Sequence, residues 1–477
     1  MRCAKPMLAL GVVCLLSGLA HSVWAQPVWT HTYGGSNADY GYSVQQTFEG
    51  GYIVVGNTWS YGNGGYDVWF IKTDSSGDTL WTRTYGGSNN DYAYSVQQTV
   101  DSGYIAAGAS NSSGNGTGDV YLIKTNAHGD TLWTRIYGGP NPDWGNSVQQ
   151  TADHGYIIAG YTGSYGNGLI DVWLIKTDSS GDTIWTKTYG GTGSDYGESV
   201  QQTSDKGYIV AGYTNSYGSG GADVWLIKTD SLGDTLWTRI YGGSGGDIGQ
   251  CVRQTSDGGY IVAGYTSSYG NGASDFWLIK TDASGDTLWT RTYGGSNNDL
   301  GYSVQQINDG GYILVGYTTS YGNGNGDVWL IKTDSLGDTL WTATYGGTGY
   351  DYGRCVRQTS NGGYIVAGYT NSYGNGDSDV WLLKTRADGS VGAEEPLRRH
   401  PVALTDYLVQ PNPCVSFARV PGHETECFIL RDITGGQVAV CKGDRIGAGL
   451  RPGVYFLSRV GAKTGKATTA TIVKAAD

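Results

Sequence analysis

The 477-residue chain is poor in the side chains from which metal centres, disulfide frameworks and many catalytic sites are built. It contains 7 cysteines and 6 histidines. No Cys-x-x-Cys pair occurs and the histidines share no ligand spacing, which argues against a zinc site and a disulfide-stabilised fold. A phosphate-binding loop of the Gly-x-x-x-x-Gly-Lys type is missing too. We therefore predict no metal and no cofactor, and we favour a function without catalysis.

Long apolar segments are also absent after the first 25 residues. Those residues have a basic start with Arg2 and Lys5, an apolar stretch from Met7 to Ala20, and a small residue at Ala25. This order is typical of a secretory signal peptide, here 1–25, cleaved near Ala25. We expect a mature protein without a transmembrane segment, secreted or held at the outer cell surface.

Basic residues are few relative to acidic ones. The chain has 30 Lys and Arg against 42 Asp and Glu, a formal net charge of −12 at pH 7. Binding to nucleic acid depends on neutralising phosphates with cationic side chains. A nucleic-acid partner is therefore not expected.

What the chain has in abundance is tandem repetition, with 80 glycines, 37 tyrosines and 16 tryptophans. A 52-residue unit occurs seven times in constant register. Repeats of this length indicate propellers or stacked arrays. A Trp-Thr pair marks each unit, with its tryptophan at Trp29, Trp81, Trp133, Trp185, Trp237, Trp289 and Trp341.

Each unit contains four strand signals, which we name a to d. Short turns containing Gly join a to b and c to d as antiparallel hairpins. Strand a is polar, whereas b and c are apolar on both faces, as expected of a sheet that lies between two other sheets. This gradient predicts radial propeller blades with strand a lining a wet channel. The lysine of each strand c, Lys72 in the first unit, is expected to lie at a blade edge. In the first unit the strands are predicted at 42–47, 52–56, 67–73 and 79–85.

The first and last units are incomplete in complementary ways. A lone d strand, 29–33, precedes the first full unit, and the last unit ends after its c strand, 379–385. We predict that these ends pair and close a seven-bladed β-propeller over 26–388. An open β-solenoid is the alternative, but it would require atypical capping repeats.

Three segments of the fifth unit carry a resemblance to known repeats. They are Gly-Gly-Tyr-Ile-Val-Ala-Gly-Tyr at 258–265, Asp-Phe-Trp-Leu-Ile-Lys-Thr-Asp at 275–282 and Gly-Asp-Thr-Leu-Trp at 285–289. In these segments the chain resembles the Gly- and Trp-rich β-propeller repeats of secreted bacterial proteins. The resemblance implies the fold but no particular activity, because such propellers serve many roles.

The C-terminal part departs from the repeat. Residues 389–403 are charged, contain Pro396 and Pro401, and have no strand pattern, so we interpret them as a linker. From 404 to 477 short strand signals recur, which indicates a small Ig-like β-sandwich. These signals lie at 427–430, 437–440, 453–457 and 470–473.

Four short motifs give this C-terminal part a resemblance of its own. They are Gln-Pro-Asn-Pro at 410–413, Asp-Ile-Thr-Gly at 432–435, Gly-Val-Tyr-Phe at 453–456 and Ile-Val-Lys at 472–474. In these motifs the stretch resembles the C-terminal sorting domain of type IX secretion substrates. The resemblance implies export through the outer membrane, with the secretion machinery as a partner. An ordinary Ig-like accessory domain is the alternative.

Two loops of each unit, d–a and b–c, are expected to share one face of the propeller. They are rich in Tyr, Ser, Gly and Asn, a mixture that combines rigid aromatic anchors with adaptable polar groups. We predict that the b–c loop tyrosines bind a ligand; the alternative is that they pack on neighbouring blades and shape the loops. These tyrosines are Tyr61, Tyr165, Tyr217, Tyr269, Tyr321 and Tyr373.

An aspartate stands just before strand a in every unit. One interpretation is an acidic ring that holds a cation near the channel mouth. The other is that each carboxylate accepts N–H groups of its own turn. Because seven unneutralised carboxylates would repel one another, we favour the second interpretation and keep them only as weak metal candidates. They are Asp39, Asp91, Asp143, Asp195, Asp247, Asp299 and Asp351.

A few residues break the repeat. Arg253 and Arg357 replace a glutamine of strand a, with Arg354 nearby, and Trp59 and Trp144 are aromatic outliers in predicted loops. A unique binding site would need such asymmetry, so we add Arg253, Arg357, Trp59 and Trp144 to the ligand-binding candidates. Drift after duplication is the alternative.

Three functional hypotheses follow from these patterns. The favoured one is an exported, non-catalytic propeller that binds a glycan or a surface protein through its loop face, with avidity from similar sites. The second is a secreted hydrolase or lyase with one axial site that uses Arg253 and Arg357, which requires an asymmetric axial pocket. The third is a structural or assembly module.

Overall fold

The structure, a computed structural model, describes residues 28–391 and four later strand segments, 427–431, 437–442, 453–459 and 469–474. All regular elements in these ranges are β-strands. The first, β1 (Trp29–Tyr33), precedes seven sets of strands in the order a, b, c and d.

The seven sets give 27 further strands, with the last set lacking its own strand d. Blade 1 contains β2 (Asp39–Gln46), β3 (Tyr52–Thr58), β4 (Asp67–Thr73) and β5 (Thr79–Tyr85); blade 2 contains β6 (Asp91–Gln98), β7 (Tyr104–Ser110), β8 (Asp119–Thr125) and β9 (Thr131–Tyr137); blade 3 contains β10 (Asp143–Gln150), β11 (Tyr156–Thr162), β12 (Asp171–Thr177) and β13 (Thr183–Tyr189); blade 4 contains β14 (Asp195–Gln202), β15 (Tyr208–Thr214), β16 (Asp223–Thr229) and β17 (Thr235–Tyr241); blade 5 contains β18 (Asp247–Gln254), β19 (Tyr260–Thr266), β20 (Asp275–Thr281) and β21 (Thr287–Tyr293); blade 6 contains β22 (Asp299–Gln306), β23 (Tyr312–Thr318), β24 (Asp327–Thr333) and β25 (Thr339–Tyr345); blade 7 contains β26 (Asp351–Gln358), β27 (Tyr364–Thr370) and β28 (Asp379–Thr385).

The propeller is closed by the first strand of the chain. Each of blades 1 to 6 is a four-stranded antiparallel sheet in sequence order, and blade 7 has the order β26-β27-β28-β1. In that blade Trp29 is opposite Lys384 and Tyr33 is opposite Val380. The predicted seven-bladed closure is therefore confirmed, and the open solenoid is excluded.

Strand a differs from its prediction at its start. It begins three residues earlier than expected, because Asp39 already pairs with Thr58 of strand b. The register then shifts between Gly41 and Ser43, which leaves Tyr42 as an extra, bulged residue. A bulge bends the strand and redirects a side chain. All seven a strands carry this irregularity at the same place.

The hydrophobic core lies between consecutive blades. In one such layer Ile209 and Leu226 of blade 4 pack against Val252, Tyr260 and Trp277 of blade 5. The same layer forms between blades 7 and 1. Strands b and c are buried almost throughout, as their continuous apolar runs predicted. Each large side chain buried in this way contributes about 1.5–3 kcal/mol.

The outer strands are fastened to the next blade through the c–d turns. The Tyr33 hydroxyl donates to the carbonyl of Gly77 at 2.6 Å, and Tyr241 bonds to Gly285 in the same way at 2.6 Å. Gly77 has φ of +87°, and a side chain there would collide with the rings of Trp29 and His31. Glycine is thus required by both the turn and the contact. The described propeller ends at Val391, which packs in the core beside blade 7.

The lysines of strand c are not blade-edge charges, so that expectation is wrong. Lys124 is 3% exposed and its Nζ lies 2.8 Å from Asp101 in the a–b turn. Five blades have this ion pair. Lys384 of blade 7 is also buried, but an asparagine, Asn361, takes the place of the aspartate. Burial therefore lowers the pKa of Lys384 to about 8.

The described C-terminal strands are β29 (Cys427–Arg431), β30 (Gln437–Lys442), β31 (Gly453–Arg459) and β32 (Thr469–Lys474). They form one antiparallel sheet in the order β30-β29-β31-β32. The second sheet of the predicted sandwich, the linker 389–403 beyond Val391 and the signal peptide 1–25 lie outside the described residues. Within the described part of the chain, no helix has the length and apolar character needed to cross a membrane.

Candidate functional site

The bulged residues of the seven a strands line one pocket on the propeller axis. This axial pocket has a volume of about 470 Å³ and opens beside the d–a and b–c loops, on what we name the loop face. Strand a begins at this face, which places its second and fourth residues near the channel mouth. The bulge ring consists of Tyr42, Tyr94, Asn146, Glu198, Gln250, Tyr302 and Arg354.

Within strand a, the bulge ring is chemically the least regular position of the repeat. Three of its members are tyrosines, and the other four are Asn146, Glu198, Gln250 and Arg354. The flanking strand positions remain nearly constant, with aspartate at the start of all seven a strands. The ring therefore gives the loop-face end of the channel an asymmetric set of hydrogen-bonding groups.

Aromatic rings form the wall of the axial pocket. Trp144 stacks with Tyr92 at a centroid distance of 5.4 Å and with Tyr94 at 5.8 Å. On its other side it stacks with Tyr161 at 6.0 Å, and Tyr161 contacts Tyr196. Trp144 is the second residue of β10, so its predicted place in a loop is wrong. Its strand position is what brings it into the pocket.

Arg354 lies within a cage of tyrosines. Its guanidinium is 4.2 Å from the ring centroid of Tyr302 and 5.7 Å from that of Tyr42. Its Nη2 donates to the hydroxyl of Tyr369 at 3.1 Å, while its Nε has no hydrogen-bond partner among the described residues. Cation–π contacts of this kind hold the guanidinium of Arg354 in place, and its Nε–H remains available as a hydrogen-bond donor.

Glu198 is the acidic member of the bulge ring. The Asn146 amide donates to its carboxylate at 3.1 Å. Its side chain lines the axial pocket and is partly buried; this burial raises its pKa to about 7, with Arg354 opposing the shift. Three blades separate Glu198 from Arg354, so the two charges face each other across the channel. The carboxyl group can therefore donate or accept a proton near neutral pH.

The loop tyrosines predicted to bind a ligand make regular structural contacts. The Tyr61 hydroxyl donates to the Gly34 carbonyl at 2.9 Å, and its ring packs 5.3 Å from that of Trp69. Tyr165, Tyr217, Tyr269, Tyr321 and Tyr373 repeat the hydroxyl contact in their own blades. These bonds support the alternative that the tyrosines shape the loops. Their ligand binding stays a prediction, confined to ring surfaces that are partly exposed.

The remaining outliers do not join the axial pocket. Trp59 is 52% exposed on the loop face and packs beside Tyr66 at 5.4 Å. Arg253 and Arg357 line a second cavity at the opposite end of the channel, near the a–b turns. The structure thus separates the four outliers, and it brings only Trp144 to the bulge ring.

The aspartates that begin strand a are buried within the fold. Asp39 is 0% exposed and accepts hydrogen bonds from the Gly35 N–H at 2.8 Å, from the Ser60 hydroxyl at 2.7 Å and from the Thr58 hydroxyl. This network fits the favoured interpretation of a carboxylate that organises its loops. Among the residues that the structure describes, no group of three or more His, Cys, Asp or Glu side chains is placed to hold a metal.

Each of these aspartates has a second carboxylate nearby that we had not anticipated. The first residue of strand c, Asp327 in blade 6, flanks Gly346 together with Asp351 of blade 7, and a side chain at Gly346 would overlap both carboxylates. Burial, together with Asp351, raises the pKa of Asp327 to about 7. The partner residue in each of the six other blades has a raised pKa for the same reasons. In three of these, Oδ1 accepts no hydrogen bond: Asp119, Asp171 and Asp275.

The reading of the sequence missed Glu198, Asn146 and Gln250. The repeat does contain a signal for them, because the fourth residue of strand a varies in charge and size while its neighbours do not. These side chains meet on the channel axis only because of the bulge, however, and no residue type in the sequence predicts that bulge. Chemically, the axial pocket combines aromatic surface, neutral amides, one titratable carboxyl and one caged cation.

The chain was compared with known proteins by sequence and by structure. No family model matches the chain. The regulatory protein FlaEY of Caulobacter vibrioides is 25% identical over 446 residues, which cover 84% of this chain and 41% of that protein. This chain therefore spans less than half of that relative.

Among solved structures, PorZ of Porphyromonas gingivalis, a surface component of the type-IX secretion system, is 12% identical with a TM-score of 0.43, over 93% of this chain and 60% of that chain. YCF48 bound to D1 peptide is 10% identical with a TM-score of 0.43, over 76% and 96% of the respective chains. Sqt1 from Chaetomium thermophilum is 11% identical with a TM-score of 0.43, over 76% and 87%.

Proposed function

We propose that the chain is an exported, non-catalytic binding propeller with one principal ligand site, the axial pocket. The observation that carries this proposal is the bulge ring, where seven equivalent positions hold five different residue types around one opening. A volume of about 470 Å³ lies within the range of small-ligand pockets, about 300–1,000 Å³. The other strand positions that face the core are nearly constant, so within the blades the variation falls where a ligand in the channel would touch it.

A glycan is the ligand class that the pocket chemistry fits best. The apolar C–H face of a sugar ring packs on aromatic rings such as Trp144, and sugar hydroxyls need both donors and acceptors. Asn146, Gln250 and Glu198 supply these beside the aromatic wall. A surface protein could present only a narrow segment to an opening of this size. We therefore favour a short glycan or the glycan of a surface protein.

The proposal includes export from the cell. It is supported by the signal-peptide pattern at 1–25 and by the four sorting-domain motifs between 410 and 474. Mass spectrometry of the protein produced in a host with a type IX system tests this part. A mature N-terminus near Gln26 and recovery outside the cell are expected, and retention in the cytoplasm with an intact N-terminus would contradict it.

A glycan array and a cell-surface pull-down test the binding function with the mature chain. Asn146→Tyr is the informative variant, because tyrosine occupies the same ring position in blades 1, 2 and 6 and will fill the pocket without disturbing the fold. We expect binding to fall about tenfold or more, the loss of one or two good hydrogen bonds. Leu80→Ala, an exposed residue of an outer strand, is the matched control and keeps full binding. Absence of any glycan or cell-surface ligand for the wild-type chain would overturn the proposal.

A hydrolase or lyase is the second candidate, and one observation favours it. The raised pKa of Glu198, about 7, suits a general acid or base at neutral pH. Incubating the protein with the glycan that it binds separates the two functions. Turnover that disappears in Glu198→Gln while binding persists would establish catalysis, and a bound glycan recovered unchanged would exclude it.

A further inference from the structure

The channel ends, opposite the loop face, in a second cavity of about 420 Å³ that we name the basal cavity. Two arginines, Arg253 and Arg357, and five glutamines line it at one repeat position of strand a. The glutamines are Gln45, Gln97, Gln149, Gln201 and Gln305.

The amide groups of these glutamines have a fixed orientation. The backbone N–H of Gln98 in blade 2 donates to Oε1 of Gln45 at 2.6 Å, and the contact recurs in four other blades at 2.6–2.8 Å. A backbone N–H requires an oxygen acceptor, so the opposite amide orientation is excluded. Each Nε2 group then makes no hydrogen bond to the described residues, and the five amides present donors rather than acceptors to the cavity.

The two arginines add positive charge that nothing in the cavity balances. Arg253 Nη1 donates to the Val252 carbonyl at 2.7 Å and to the Ser199 hydroxyl at 3.3 Å, and Arg357 Nη1 donates to the Val356 carbonyl at 2.9 Å. Nε and Nη2 of both side chains have no partner among the described residues. No ion pair in the described propeller joins either guanidinium to a carboxylate.

Two like charges in one cavity raise the free energy of the folded state unless a counter-ion is present. Burial lowers the pKa of Arg253, and the charge of Arg357 lowers it further. Guanidinium groups bind planar or tetrahedral oxyanions through paired N–H donors. A site with two guanidiniums, five amide donors and no carboxylate has the composition expected for a divalent anion.

We propose that the basal cavity is a binding site for a phosphate or sulfate group, held by Arg253 and Arg357 and by the inward amides of the channel glutamines. The site lies at the opposite end of the channel from the bulge ring and is independent of the glycan-binding proposal. The cavity is larger than one oxyanion, so the group can be a free ion or part of a phosphorylated or sulfated sugar.

Isothermal titration of the full mature chain with inorganic phosphate, inorganic sulfate and glucose 6-phosphate tests the site, in chloride buffer at constant ionic strength. The double variant Arg253→Gln/Arg357→Gln is the matched change, because glutamine is the residue of the other five blades. Each new glutamine also supplies a side-chain oxygen that can accept the backbone N–H of the next blade, as in the other five blades. We expect one anion per wild-type chain and affinity at least tenfold lower in the double variant. The double variant Arg83→Gln/Arg291→Gln, on two outer strands, is the charge-matched control and leaves the affinity unchanged.

Thermal unfolding supplies a second measurement that does not depend on heat of binding. In chloride alone the double variant is expected to melt at a higher temperature than wild type, because the charge repulsion is gone. Phosphate then raises the wild-type midpoint but not that of the double variant. Binding of glucose 6-phosphate without binding of the free ions would assign the site to a sugar ester. Equal binding in wild type and double variant, or none for any probe at about 10 mM, a concentration sufficient to detect a Kd near 1 mM, would overturn the proposal.

Discussion

The buried carboxylate pairs between blades make the propeller sensitive to pH, and the pair Asp327–Asp351 allows this to be measured. Both carboxylates lie where a side chain at Gly346 would be, and Asp327 is 2% exposed. Oδ2 of Asp327 accepts the Asn323 N–H at 2.6 Å. The perturbation is Asp327→Asn, which keeps this acceptor, removes one charge and offers an amide donor to Asp351.

The expected effect follows from the pKa of Asp327, which burial and then Asp351 raise from 3.8 to about 7. A folded-state pKa above the unfolded value means that the folded protein binds more protons between about pH 4 and 7, so its stability rises as pH falls through that window. A difference of about 3 pH units corresponds to at most about 4 kcal/mol. Asp327→Asn should recover up to this amount at about pH 8 and change stability by under about 1 kcal/mol at pH 5, where Asp327 is already protonated.

Urea unfolding followed by tryptophan fluorescence at both pH values measures the effect. Asp182→Asn, an exposed aspartate paired with Arg135, serves as control and should show no pH-dependent gain. Equal destabilisation of Asp327→Asn at both pH values would refute the reasoning, because the charged pair would then stabilise the fold. If calcium chloride stabilised wild type at pH 8 but not the variant, the carboxylates would be holding a cation instead of a proton.

Two further substitutions test other contacts between and within blades. Tyr33→Phe removes the hydroxyl bond to Gly77 that fastens the closing strand; unfolding free energy should fall by about 1 kcal/mol, as in Tyr241→Phe of blade 4. If Tyr33→Phe left the unfolding free energy unchanged while Tyr241→Phe lowered it, the closing strand would be frayed. Asn361→Asp gives Lys384 the carboxylate that five other blades place there. Burial disfavours the charged form of Lys384 in the folded state and lowers its pKa to about 8. The new carboxylate should therefore stabilise the fold by about 1–2 kcal/mol below pH 8, where the lysine is charged in both the folded and the unfolded state. An unchanged thermal midpoint across pH 6–9 would contradict the assigned role of Lys384.

The fold could be predicted from the sequence because its determinants are local and repeated. Apolar runs such as 52–55 and 68–71 mark strands buried on both faces, and Gly-containing turns fix the hairpins. The missing fourth strand of blade 7 and the surplus Trp29–Tyr33 strand together determined the closure. These signals recur seven times, so an error in one unit would be corrected by the others.

The candidate site could be predicted only in part, because it depends on register. Strand a alternates up to Gly41, and the bulge at Tyr42 then changes which side chains reach the channel. Arg253, Arg357 and Arg354 were noticed as substitutions, but the sequence gives no sign that the first two lie at one end of the channel and the third at the other. The buried Lys124 illustrates the same difficulty, since its partner Asp101 lies in a turn that only the hairpin geometry brings close.

Variation within strand a is concentrated at the bulge position. That position holds five residue types, whereas strands b and c, which are buried, keep nearly the same sequence in every blade. The d–a and b–c loops vary as much, so the variable positions lie mainly where side chains reach the channel or solvent. The two cavities also differ in sign: the axial pocket has one carboxyl and one caged arginine, and the basal cavity has two arginines and no carboxylate. The two ends of the channel thus carry different chemical groups, which is why the glycan proposal and the oxyanion proposal can be tested independently of each other.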